Sequence, residues 1–553
     1  MKRFLLLSGA LLLLGGSVSA QSDYSNRQQL AQRVGALEKN YSQYVKTRSL
    51  AKTAGDSDIW LVTIGTGQTD QKPAVAVVGG VDGKHLLGVE LAIGFAEKLL
   101  ANAQADSIRH LLETQTFYVF PNMSPDATEQ YFADVQYERS GNARTTDDDR
   151  DGEYGEDGYD DLNGDGKITL IRVADPTGTF IPNPAEPRSM MEADPAKGQV
   201  GQYRVYAEGV DNDKDGLFNE DGEGGVHFNK NATYNYRNFL PGAGEHAVSE
   251  IENRALFDFL YDAFNVYAVV AFGPYNNLST PETVSGRNGE PSYSALSRRL
   301  GGRKITSWSA RDAGVNSNVS SIYNRIIGAK DAPKTVAGEG NFAEWAYYHY
   351  GRFSFSTPGW WVPSVEGAPE GTDAGTDPVA AYLQWADAEG MTNTFTEWQE
   401  VQHPDFPGKT VEVGGVHPFV VSNPPYALVD GIVAKHTDFL VTLAGMAPEI
   451  DIVDHQTEKL DNGLTRVSLR VFNKGQLPNL TQVGERSYFL KRVTVNVKTT
   501  GNQKVVSGRK VQTLDVIDGR GTVELSWIVQ GNGNLTIEAG SVTTGTKAIE
   551  VSL

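Results

Sequence analysis

The chain has 553 residues, 39% of them hydrophobic and 21% charged, which suits a soluble globular protein of several domains and excludes a disordered or membrane-embedded one. It has no cysteine, so disulfides and every thiolate-based site are excluded. A formal net charge of −20 makes nucleic acid an unfavourable partner.

At the N-terminus, Lys2 and Arg3 precede an apolar run over 4–14 and the small-residue end Val18-Ser-Ala20. This is the pattern of a signal peptide over 1–20, with the mature chain starting at Gln21. The run is shorter than the roughly 20 apolar residues of a membrane span, and no later segment reaches that length. A secreted or periplasmic protein without membrane insertion is therefore expected. Leu30, Val34, Leu37 and Tyr41 then recur at helical spacing within 24–46. Strands follow at 59–64 and 74–78, an amphipathic helix at 88–101 and a buried strand at 116–120. A helix over 248–264 and a strand over 266–272 continue the alternation, which predicts an α/β/α domain around a mixed sheet.

Near Ala447-Pro448 the texture changes to short alternating runs, at 465–472, 492–497 and 522–529, separated by Gly and Asn turns. Strands at this spacing predict an all-β sandwich of immunoglobulin or fibronectin-like kind. The expected organisation is 21–447 for the α/β domain, with an acidic insertion at about 140–225, and 448–553 for the sandwich.

The acidity is local. Residues 147–166 hold 10 acids against Arg150, and 211–223 hold 6 acids against Lys214, so these stretches supply −14 of the −20. Each contains the same pattern, D-x-D-x-D-G-x-x-x-E-D-G, once from Asp147 through Asp149, Asp151 and Asp157, and again from Asp211 through Asp213, Asp215 and Asp221. A shorter cousin carries Asp161, Asn163 and Asp165. Calcium takes about six to eight hard oxygen ligands, and carboxylates at alternate positions before a glycine turn can wrap one ion. All eleven residues are candidate calcium ligands. Position 12 is Gly rather than a bidentate Glu, so the neighbouring acids or the other loop would have to close the shell.

Two further stretches carry the chemistry: Val77-Val-Gly-Gly-Val-Asp82-Gly-Lys-His85, where a strand turns into a helix, and Val269-Val-Ala-Phe-Gly273-Pro, where a strand ends. With Phe353-Ser-Phe-Ser-Thr-Pro358-Gly359 and Gly225-Val-His-Phe-Asn229-Lys230, they resemble the zinc carboxypeptidase family over about 30–447, most closely bacterial members with an acidic insertion. The resemblance implies an H-x-x-E zinc motif where this chain has Asp82 and His85, a third His ligand at Gly273 and a general-base Glu at Pro358 or Gly359. It also implies an Asn-Arg clamp for the substrate carboxylate at Asn229 and Lys230, with a preceding arginine at Arg139 or Arg144.

Catalytic zinc generally needs three protein ligands and a neighbouring base. Gly273 offers no ligand, and Pro358 cannot accept a proton. The expectation is a zinc-deficient pseudo-peptidase, stabilised by calcium, that binds peptide or peptide-like ligands through Arg139, Asn229 and Lys230. Asp82 and His85 remain candidates for a residual transition metal, although Asp82 could instead cap the following helix. The alternatives are an active metallocarboxypeptidase with non-standard ligands and a purely structural exported protein; no protein partner is implied.

Overall fold

The computed structural model describes residues 23–553 apart from 148–151, 215, 220, 223, 285–303 and 488. The signal-peptide expectation over 1–20 therefore lies outside the described residues, as do Asp149, Asp151 and Asp215.

The apolar runs form a six-stranded mixed sheet, in the order Val45–Lys52, Asp58–Ile64, Thr116–Phe120, Ala74–Val78, Val266–Phe272 and Phe353–Thr357. The first two strands pair antiparallel with their neighbours, and the last four are mutually parallel. Every residue of those four is buried. Both faces are covered, so alternation gives way to a continuous apolar run. Val75 and Val77 face helices Leu86–Ala101, Ala310–Ile327 and Tyr426–Ala444. Ala74, Ala76 and Val78 face helices Ile251–Asp262 and Phe342–Tyr348.

The helix expected within 24–46 stops at Asn40, and the remainder contributes the edge strand Val45–Lys52. Leu30, Val34 and Leu37 are buried as the spacing requires, whereas Tyr41 leaves the helix as its C-cap. The acidic insertion contains more than loops. Its strands Leu170–Ala174, Phe180–Asn183, Glu186–Glu192 and Tyr203–Ala207 join Phe395–Val401 and Val411–Val416 in a second, wholly antiparallel six-stranded sheet. Its core is small, built on Ile171, Val173, Val411 and Val413. Among the described residues no helix is long and apolar enough to cross a membrane.

From Ile450 onward the chain forms two four-stranded sheets that share one core, including Val467, Val495, Trp527 and Ile537. This region meets the α/β part through buried polar contacts. Both oxygens of Asp312 accept from the Gln482 N–H, and Thr481 Oγ1 donates to the Gly351 carbonyl at 2.8 Å. Trp527 is the largest buried side chain of the β region and donates its Nε1–H to the Arg509 carbonyl. Trp527→Ala should destabilise these sheets by about 3–5 kcal/mol, through lost burial and a cavity. Urea denaturation followed by far-UV circular dichroism measures this, and a loss below 1 kcal/mol would contradict the packing described.

Candidate functional site

The parallel strands 74–78, 266–272 and 353–357 end side by side, the place where a parallel α/β sheet opens its ligand crevice. At the first strand end the chain turns through Gly79 and Gly80 and enters the helix at Leu86. Asp82 does not cap that helix. The cap position is His85, which makes no side-chain cap bond, while Asp82 Oδ1 accepts from the Lys84 N–H at 3.3 Å and from Ser140 Oγ at 3.1 Å.

His85 is 2% exposed, and its Nε2 lies 2.9 Å from the Pro358 carbonyl. A carbonyl only accepts, so Nε2 carries the proton. Nδ1 is buried beside Gly88 and the Phe272 carbonyl, without a hydrogen bond of ordinary geometry, and the Phe272 and Pro358 carbonyls both oppose the effect of burial on the ring. Burial lowers the His85 pKa, and the Asp82 charge opposes only part of that, so the ring is neutral.

Gly273 donates its N–H to the Thr357 carbonyl, and a Cβ placed on it would lie 2.3 Å from Val81 Cγ2. The space into which a side chain at 273 would grow is thus filled. Behind Pro358 runs a buried polar chain. Gly359 N–H donates to Thr357 Oγ1, Thr357 Oγ1 contacts Tyr323 Oη at 2.8 Å, and Tyr323 Oη contacts His436 Nε2 at 3.0 Å. His436 Nδ1 meets the Ile432 carbonyl at 2.8 Å and so carries its proton, which makes Tyr323 the donor to Nε2. Burial pushes the His436 pKa down to about 4. Among the described residues no group of three His, Cys, Asp or Glu is arranged to hold a metal ion.

Above the strand ends lies a cleft of about 690 Å³, walled by Tyr137, Tyr159, Ile168, Leu170, Trp360 and Trp361, with His85 and Pro358 also on its surface. Trp361 is buried and donates Nε1–H to the Lys330 carbonyl. A second cavity of about 620 Å³ adjoins it across the shared residues Tyr137, Glu138 and Tyr159, and is lined by Arg139, Ser140, His227 and Lys230. Glu138 faces both cavities, lies 3.4 Å from Lys84 Nζ, and accepts from the Phe419 N–H.

The structure brings Arg139 and Lys230 onto one cavity but not Asn229, whose Oδ1 accepts from the Phe342 N–H at 2.9 Å. Arg139 donates to the Gly141 and Asn142 carbonyls, and Lys230 Nζ to that of Pro241. Arg144, the alternative arginine, is tied to Glu245 and Glu250. His227 belongs to the same cavity, and burial pushes its pKa down to about 4. It lies three residues before Lys230, within the motif that carries the clamp candidates.

The two acidic repeats pair with each other through equivalent positions. The Asp157 N–H donates to the Asp221 carbonyl at 3.1 Å, and these are the eleventh residues of their repeats. Asp157 Oδ2 accepts from the Asn219 N–H, and Asp221 Oδ2 from the Gly155 N–H, both donors being ninth residues. The backbone repeats too, with φ of 107° and 97° at Gly152 and Gly216, and 67° and 57° at Gly155 and Asn219. Asp157 is fully buried, Asp221 is nearly so, and Asp147 and Asp211 each hold one buried oxygen without a hydrogen bond. Asp213 is exposed.

In the shorter loop, Asp161 accepts from the N–H groups of Gly164, Asp165 and Gly166, and Asn163 from that of Asp165. Asp165 Oδ2 accepts from Thr396, whose hydroxyl also meets His417 at the cleft wall.

Beneath the second cavity, Asn142 Nδ2 donates to both Glu250 Oε2 and Glu252 Oε1, at 3.0 and 3.1 Å. Glu252 is 3% exposed, and its Oε2 has no hydrogen-bond partner. Burial, reinforced by the charges of Glu250 and Asp126, pushes its pKa up to about 7.

The zinc carboxypeptidase family profile matches residues 30–359, and that of a domain of unknown function matches 449–552. A search of curated proteins finds no match. Among solved structures, bovine thrombin-activatable fibrinolysis inhibitor in complex with tick carboxypeptidase inhibitor is 11% identical. That match covers 67% of this chain and 94% of the other, at a TM-score of 0.36. Carboxypeptidase A from Helicoverpa armigera is 14% identical over 66% of this chain and 74% of its own, at 0.35. A metallocarboxypeptidase from Burkholderia cenocepacia is 25% identical over 18% and 27%, at 0.17.

Because the folded Glu252 carboxyl titrates near 7 and an ordinary one near 4.5, its contribution to stability is complete below 4.5 and is lost as pH rises through about 7. Glu252→Gln should remove a loss on the order of 2–3 kcal/mol between pH 5 and 8. Urea titrations at both pH values test this, and an unchanged pH dependence in the variant would refute it.

Proposed function

We propose that this chain, which belongs to the zinc carboxypeptidase family, is a pseudo-peptidase that keeps the family's crevice as a binding site for peptide or peptide-like ligands. Family members are normally zinc-dependent, but the residues present here do not fit the metal. The strand end at Gly273 carries this reading: the position has no ligating side chain, and Val81 fills the space one would enter. His85 Nε2 is committed to the Pro358 carbonyl and its Nδ1 is buried, so neither nitrogen offers a lone pair to the cleft. At the base position, Pro358 has no proton-accepting side chain.

The two adjoining cavities support a ligand with an apolar side chain in the aromatic cleft and a carboxylate directed to Arg139 and Lys230. Lys230 would offer a point charge in place of a planar fork, so carboxylate recognition relies on charge more than on bidentate geometry. Export through residues 1–20, and a C-terminal module that supports the binding domain without chemistry of its own, complete the proposal.

Purified protein should carry no stoichiometric zinc by elemental analysis and should release no C-terminal residue from peptides. Isothermal titration should show free-acid peptides with apolar C-terminal residues binding more tightly than their amides. Lys230→Met should raise the Kd of the free-acid peptide about tenfold, near 1.4 kcal/mol. Zinc that is lost together with hydrolysis in an Asp82→Ala/His85→Ala variant would establish an active metallocarboxypeptidase instead. Absence of any peptide binding would leave a structural protein.

We also propose that the paired acidic loops bind calcium structurally. Carboxylates gathered at this density repel one another without a counter-ion, and their backbone conformation repeats between the loops. Calcium at about a hundred times its Kd should add about 2.7 kcal/mol of stability. Chelation should reverse the gain, and Asp213→Asn/Asp161→Asn should diminish it. A melting temperature indifferent to calcium would identify the loops as solvated.

A further inference from the structure

The acidic chain holds a strongly basic segment in its C-terminal β region. Residues 486–510 contain seven cations, Arg486, Lys491, Arg492, Lys498, Lys504, Arg509 and Lys510, and no Asp or Glu. The structure gathers three of them around a cavity of about 830 Å³ where the β region meets Phe264 of the α/β part. Arg486, Lys491 and Arg492 line it together with the hydroxyl residues Ser487, Thr494, Thr513 and Ser541 and one acid, Glu485, whose carboxylate lies 3.5 Å from Arg311. Lys491 Nζ stands 4.5 Å from the centroid of the Phe264 ring.

The basic surface continues beyond the cavity. Thr513 ends the strand Val511–Thr513, an edge strand of its sheet, and Lys504–Ser507 is an edge strand of the other. Between and beside them Lys504, Arg509 and Lys510 are exposed, flanked by Val506 at 52% and Val511 at 57% exposure. Three acids lie close to these cations: Lys498 pairs with Glu538, Arg492 lies 3.6 Å from Asp515, itself 98% exposed, and Glu485 lines the cavity beside Arg486.

Cations on edge strands also discourage edge-to-edge aggregation, which accounts for Lys504, Arg509 and Lys510 alone. It does not account for three cations placed around a concave, hydroxyl-lined surface continuous with that edge. We propose that this cavity and edge form a binding surface for an anionic polysaccharide. Carboxylate or sulfate groups would meet the cations, and sugar hydroxyls would meet the Ser and Thr side chains.

An acidic peptide added as a strand fits less well, because the exposed edges offer only three and four residues for pairing. Single-stranded nucleic acid fits less well because Phe264 is the cavity's one aromatic residue among the described residues, where base stacking would use several. The net charge of −20 disfavours polyanions over the molecule as a whole, so binding relies on local basic surface.

The test uses the full chain and immobilised dextran sulfate, polygalacturonate and uncharged dextran. Binding to at least one charged polymer at low ionic strength, lost on approaching about 1 M salt, is expected, with none to dextran. Arg486→Gln/Lys491→Gln/Arg492→Gln should weaken binding at least tenfold. Lys504→Gln/Arg509→Gln/Lys510→Gln, confined to exposed side chains that leave the fold intact, should do so independently. The remote pair Lys39→Gln/Lys46→Gln should leave binding unchanged. Unaltered binding in the second triple variant, equal binding to uncharged dextran, equal loss in the remote variant, or tighter binding of polyglutamate or an oligonucleotide would overturn the proposal.

Discussion

A buried imidazole makes the crevice what it is. His85 sits at the end of one parallel strand and donates Nε2–H to a carbonyl at the end of another, two strands away. A charged ring there would lose its hydration without a carboxylate bonded to either nitrogen, so the ring stays neutral and acts as a structural tie. Val81 closes the space beside Gly273 on the intervening strand. Three strand ends that could have presented ligands to one point instead form the floor of a largely apolar cleft, with Trp360 and Trp361 above it.

Behind that floor the polar groups are satisfied internally. The chain from Gly359 through Thr357 and Tyr323 to His436 has one consistent direction of donation, fixed by the Ile432 carbonyl that takes the Nδ1 proton. Such a network rigidifies the Pro358-Gly359 turn without offering a base to the cleft. The wall opposite belongs to the insertion, through Tyr159, Ile168 and Leu170. In sequence those residues follow the first acidic repeat and precede the second, and Leu170 opens a strand of the antiparallel sheet, so the acidic loops and the cleft wall belong to one insertion. The pairing of Asp157 with Asp221 locks the two repeats face to face, each carboxylate holding the backbone of the other copy.

The buried parallel strands were legible because burial on both faces leaves an unbroken apolar run, as in 74–78 and 266–272. The β texture after 449 was legible through its alternation and its Gly and Asn turns. The strand at 45–52 was hidden because polar residues such as Lys46 and Arg48 on an edge strand resemble a helix tail. The second sheet was hidden because only four of its residues are fully buried in its core. Within the site, Asp82, His85, Gly273 and Pro358 were visible as departures from a family pattern. Asn229 could not be assigned from sequence, since its side chain is claimed by the Phe342 N–H more than a hundred residues away. Glu252 gave no local signal, while His227 was marked only by its place in the motif at 225–230; burial by distant segments shifts the pKa of both.

By itself the sequence determined what each position can contribute: no ligand at Gly273, no base at Pro358, and two equivalent acidic loops. Those facts are written in side-chain chemistry and hold wherever the chain places them. Tertiary structure alone decided what replaced the missing functions. Val81 fills the ligand space, His85 bonds a carbonyl, the repeats pair through their eleventh residues, and six cations of one segment gather at a cavity and beside two sheet edges. Each of these depends on atoms far apart in the chain being packed at van der Waals or hydrogen-bond distance, and local sequence carries no record of such contacts.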